Sequence, residues 1–111
     1  MQHQTLASGE WERLSFAEQM GNVGSEVERS IKWRAKGNEK IAQSAFVRSA
    51  ELLALTIDAA CQYPSRLREL TRVRECWYDF FAFSNQYRSN AEGWQRYFRH
   101  FAVLAQVRKG R

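Results

Sequence analysis

Residues 15–37 read SFAEQMGNVGSEVERSIKWRAKG, and their punctuation decides the fold class. Ser15 followed three residues later by Glu18 is a capping box, in which each side chain satisfies the other residue's free backbone N–H. Phe16, Met20, Val23, Val27 and Ile31 then recur at three- and four-residue intervals, which lines one face of a helix. Gly37 suits the left-handed conformation that closes a helix, and Asn38 suits the cap of the next one. The spacing predicts a helix over about 16–36.

The same spacing and capping signals predict three more helices. Over 39–61, Ala42, Phe46, Ala50, Leu53, Ile57 and Ala60 form one stripe, and Ile41, Ala45, Leu52, Thr56 and Ala59 form a second beside it. Only a strip with Glu51 and Asp58 stays polar, so this helix is expected to be central and buried on more than one side. After the break at Gln62-Tyr63-Pro64-Ser65, a helix over 65–83 keeps Leu67, Leu70, Val73, Trp77 and Phe81 in register. Ser84–Asn90 is the longest connection, and Ser89 with Glu92 repeats the capping-box signal before a helix over 91–108 carrying Trp94, Phe98, Phe101 and Ala105. Short connections between helices of this length imply an all-α, antiparallel four-helix bundle over 15–111. Residues 1–14 have no clear period and are expected to form a flexible arm, pinned by Trp11 and Leu14.

Composition agrees and excludes much else. Four Trp, four Tyr and seven Phe in 111 residues supply more burial than a disordered segment carries. One Pro and six Gly are too few for the turns of a β-sandwich. No apolar run is long enough for a membrane span, and the N-terminus lacks the order of a secretion signal. Cys61 and Cys76 form no CxxC motif and read as reduced thiols of a cytoplasmic protein, with one cross-link left open.

The inventory for catalysis is thin. His3 and His100 have no His, Cys or carboxylate at ligand spacing, so neither a metal site nor a cofactor is expected. Neither cysteine has a neighbouring His to act as a base, and no catalytic residue is proposed. Gly21 and Gly24 lie inside the first helix, where each costs about 0.8–1 kcal/mol relative to Ala. Close approach of another helix would offset that; a phosphate-cradling loop is the alternative, and it would need a strand-to-helix setting.

Two features point to partners. Trp33, Phe83, Val103 and Val107 fall on faces that should be wet, which suggests a self-association interface in a homo-oligomer, against scatter or a base-stacking platform. The net charge of +5 resides entirely in residues 84–111, with the rest of the chain neutral. Arg96 and Arg99 are one turn apart, Arg108 and Lys109 follow, and Arg29 and Lys36 flank Trp33. Arginine outnumbers lysine 13 to 4, which favours bidentate contact with phosphate in RNA or DNA backbone over simple solubility. A solvated face and an acidic protein partner are the competing readings. Neither a helix-turn-helix nor a zinc finger is present, so base-specific reading is not expected.

Gly21–Arg29 (GNVGSEVER), Ala50–Thr56 (AELLALT), Arg66–Leu70 (RLREL) and Tyr97–Ala102 (YFRHFA) together resemble a family of short, uncharacterised, all-helical bacterial proteins encountered near mobile or retroelement genes. The resemblance spans about residues 15–108. It implies a helical accessory protein working around nucleic acid. The family usually carries a more acidic loop where this chain has Ser84-Asn85-Gln86-Tyr87.

Overall fold

The structure, a computed structural model, describes residues 9–109 and the side chains of residues 9–107. All regular structure among these residues is helical: α1 (Glu10–Arg13), α2 (Phe16–Ala35), α3 (Glu39–Ala59), α4 (Pro64–Ala82) and α5 (Ala91–Lys109). The four long helices fall within one or two residues of the stretches expected from the spacing. None of the described helices is long and apolar enough to cross a membrane.

Local chemistry sets the helix ends. Ser15 Oγ accepts from the Glu18 N–H at 3.1 Å and Glu18 Oε1 accepts from the Ser15 N–H at 2.9 Å, so the capping box forms. Gly37 takes φ 82° after α2, a conformation open to a residue without Cβ. Asn38 Oδ1 then accepts from the Ile41 N–H at 3.1 Å. At the start of α5 the cap is not Ser89, as the spacing suggests, but Asn90, whose Oδ1 accepts from the Gly93 N–H at 2.7 Å. Ser89 lies one residue before the cap, and its backbone N–H and C=O are both bonded by the Asn85 side chain, at 3.0 and 2.9 Å.

α2 packs chiefly on α3 and α5, and α3 also packs on α4 and receives α1. Met20, Val23, Val27, Leu53, Leu70 and Trp77 form the most deeply buried part of the core. Along the α2–α5 seam, Gly24 is buried beneath Phe98; a Cβ there would lie 2.7 Å from the Phe98 Cβ. Gly21 faces the Ala102 Cα at 4.0 Å from its would-be Cβ. Helix contact, not a phosphate loop, therefore accounts for this glycine pair. α4 and α5 meet through aromatic rings, with Trp77 and Trp94 edge to face at 5.5 Å.

α3 buries polar groups as well as its apolar stripes. Its Ser49 and Thr56 are fully buried, and each accepts an indole N–H: Trp77 Nε1 at 2.9 Å and Trp11 Nε1 at 3.1 Å. Trp11 belongs to α1, a single turn not expected from the sequence, and its backbone carbonyl accepts from Gln19 Nε2 at 2.9 Å. These two bonds fasten residues 10–13 to the body; Leu14 packs against the same core.

Candidate nucleic-acid interface

The outer face of α5 carries Arg96, Arg99, His100, Val103 and Val107, all exposed. Their spacing of three and four residues is what puts cationic and apolar side chains on one stripe, and the buried stripe of Trp94, Phe98 and Phe101 fixes that orientation. Arg99 also borders a shallow groove of about 230 Å³ on the α2–α5 seam, next to Gly21, Ser25 and Glu28. There Gln95 Nε2 donates to Glu28 Oε1 at 2.9 Å. The side chains of Arg108 and Lys109 lie outside the described residues.

On α2, Arg29 and Lys36 are exposed. Trp33 is half-buried and packs against the core, while the ammonium groups of Lys36 and Lys32 lie 5.1 and 5.7 Å from its ring centroid. Such contacts contribute about 0.5–1 kcal/mol at exposed sites. The ring thus stays partly exposed, with two lysine ammonium groups beside it.

The four apolar residues singled out from sequence divide into two groups. Trp33 and Phe83 belong to the end where the Arg34 guanidinium lies 3.6 Å from the Phe81 ring centroid and donates to the Phe81 carbonyl at 2.9 Å. Val103 and Val107 follow Ala102, which sits against Gly21. Twelve residues of helix separate Gly21 from Trp33, about 18 Å along the axis. Phe83 is 74% exposed, the most open large apolar side chain among the described residues, and Val103 and Val107 are 56% and 51% exposed.

A second cationic surface, not expected from the near-neutral composition of 62–83, lies on α4. Arg68, Arg72 and Arg74 are exposed and border an open groove of about 920 Å³ together with Tyr78, Phe83 and Tyr87. The carboxylates of the same helix are engaged in fixing the structure. Asp79 accepts the backbone N–H groups of Gln86 and Tyr87, each at 2.9 Å, and so holds the connection before α5 against α4. Glu75 Oε2 accepts from the Tyr87 hydroxyl at 3.1 Å, a bond that, with the Glu75 charge, raises the Tyr87 pKa above its ordinary value. Glu69 Oε2 accepts from the Tyr97 hydroxyl at 2.6 Å. Burial, then this bond and the Glu69 charge, push the Tyr97 pKa far above the usual phenol range.

Among the described residues the only ion pair within 4.0 Å is Arg34 with Glu39, at 3.2 Å. Arg29, Arg68, Arg72, Arg74, Arg96 and Arg99 are therefore exposed guanidinium groups with no carboxylate of the described residues at that distance. Such groups keep their five donors for an external anion. No family model, no curated protein and no solved structure matches this chain.

Proposed function

We propose that the chain is a non-catalytic, self-associating basic helical protein of the cytoplasm that binds RNA or DNA backbone, as an accessory protein of a mobile element or retroelement. The observation that carries this reading is the set of exposed, unpaired arginines, with Arg96 and Arg99 on α5 at its centre. Arg108 and Lys109 extend the same helix, and Arg29 and Lys36 add cations on α2. An antiparallel four-helix bundle is the architecture we infer. It is supported by the seam, where Gly21, Gly24 and Glu28 pair in turn with Ala102, Phe98 and Gln95. The resemblance to helical proteins found near mobile elements supports the accessory role.

Self-association strengthens the reading, because a few phosphate contacts hold weakly at physiological salt and repeated copies multiply them. The exposure of Phe83, Val103 and Val107 supports an apolar interface between copies. A second reading is favoured by Phe83 in particular: an apolar anchor that docks an enzyme partner, with no nucleic acid involved. The two part on a purified sample. Absorbance at 260 nm that nuclease removes, together with a solution mass that is a multiple of 13.0 kDa, is the expected result. Elution from heparin below about 200 mM salt, with no nucleic acid shifted, would overturn it.

A further inference from the structure

An open pocket of about 490 Å³ lies between α4, the Ser84–Asn90 connection and the start of α5. That size is within the range of small-ligand sites, roughly 300–1,000 Å³. Tyr87 enters it from the connection, Trp94 and Tyr97 from α5, and Arg72 and Cys76 from α4. The aromatic walls are held in place: Trp94 packs edge to face on Trp77 at 5.5 Å and on Tyr97 at 6.2 Å. Asp79 and Asn85 fix the connection that presents Tyr87.

Two polar atoms of pocket residues stand out. Trp94 Nε1 and Ser89 Oγ are both buried and have no hydrogen-bond partner. Trp94 is only 7% exposed, so its N–H has lost water without gaining an acceptor. The Glu69 carboxylate, also at the pocket, is already taken by Tyr97. Arg72 is exposed and belongs at once to this pocket and to the adjoining groove with Arg68 and Arg74, and Tyr87 is shared in the same way. Aromatic walls, with a guanidinium track leading away, match a flat ring joined to an anionic chain.

We propose that this pocket receives one unpaired base of a single-stranded nucleic acid. The Tyr87 ring stacks on the base, and Arg72, then Arg68 and Arg74, take successive phosphates. Every base has a face to stack, so the site tolerates sequence while rejecting paired bases. The inference rests on the nucleic-acid reading above and deepens it, from backbone binding to preference for single strands.

The test uses the full chain with a short oligothymidylate, a duplex of equal length and thymidine monophosphate as probes. Two readouts report the pocket itself: the Trp94 indole N–H resonance, assigned with Trp94→Phe, and alkylation of Cys76, with exposed Cys61 as internal control. The oligothymidylate is expected to shift the Trp94 resonance and slow Cys76 alkylation while leaving Cys61 unchanged; the duplex does neither. Tyr87→Ala, at an exposed position, is expected to weaken oligothymidylate binding about 5- to 150-fold, the range for loss of one stacked base. Arg72→Ala, also exposed, should weaken it in the same direction. Oligothymidylate binding that leaves Trp94, Cys76 and the Tyr87→Ala variant unaffected overturns the pocket and leaves backbone binding standing. Response to the monophosphate alone overturns the assignment to a strand. Failure of both oligothymidylate and duplex to bind overturns both readings together.

Discussion

The indole N–H of Trp77 donates to the hydroxyl of Ser49 at 2.9 Å, and both residues are fully buried. Ser49 Oγ in turn donates to the Phe46 carbonyl at 2.6 Å, so one hydroxyl joins α4 to the backbone of α3. Removing it leaves an indole donor buried without an acceptor, a loss of about 1–3 kcal/mol. Ser49→Ala is therefore expected to lower the melting temperature by several degrees. An unchanged melting curve would show that Trp77 is held by ring packing alone.

The two glycines of α2 should behave in opposite ways. At Gly24 an added Cβ meets the Phe98 Cβ at 2.7 Å, an atom fixed to its own backbone, so α2 or α5 must move. Overpacking of this kind costs about 1–3 kcal/mol, and better helix propensity returns about 0.8–1 kcal/mol. Gly24→Ala should thus be destabilising. Gly21→Ala, with its nearest neighbour 4.0 Å away, should be neutral or stabilising by up to about 1 kcal/mol. Chemical denaturation of the two variants side by side tests the seam; equal behaviour would contradict it.

Tyr97 makes stability depend on alkaline pH. Its pKa is raised in the folded chain above the ordinary value of 10.0, so the unfolded chain loses this proton first. The contribution is fully present below pH 10.0 and is lost progressively as pH rises above it. Tyr97→Phe should be less stable near neutrality, having lost the bond to Glu69, yet show a shallower decline above pH 10.0. Parallel declines of the two proteins would refute the assignment.

The division of the exposed apolar residues predicts separable effects on association. Phe83→Ser alters the end near Phe81, and Val103→Ser with Val107→Ser alters the outer face of α5. Sedimentation is expected to show a smaller species for at least one of the two. Surface changes of this kind shift monomer stability by no more than about 0.5 kcal/mol. An assembly unchanged by both would remove these side chains from the interface.

The helices were legible in the sequence because their signals are local. Ser15 with Glu18, Gly37 with Asn38, and Pro64 each act within one turn, and the apolar spacing of α2 through α5 needs no knowledge of neighbours. What escaped was set by distant partners. Trp11 is placed by Thr56, forty-five residues away, and so an apparent arm contains a packed helical turn. Asn85 holds the Ser89 backbone in the connection, and Asn90, one residue on, supplies the cap. The candidate site divides in the same way. Exposure of Arg96, Arg99, Val103 and Val107 follows from the period of α5, whereas the approach of two lysines to the Trp33 ring needs side-chain geometry. The arginine surface of α4 was hidden by charge arithmetic, since Glu75 and Asp79 cancel it in a sum while bonding to Gln86 and Tyr87 in space.

The salt dependence of duplex binding reports directly on the basic face of α5. Contact with about four phosphates implies an affinity that falls on the order of 100-fold between about 50 and 200 mM salt. Replacing Arg96, Arg99, Arg108 and Lys109 together by glutamine should abolish binding of duplex, which the α4 pocket does not take, while leaving the melting temperature of the wild type. Duplex binding that survives the four substitutions, or that does not respond to salt, would remove nucleic acid from the basic face of α5.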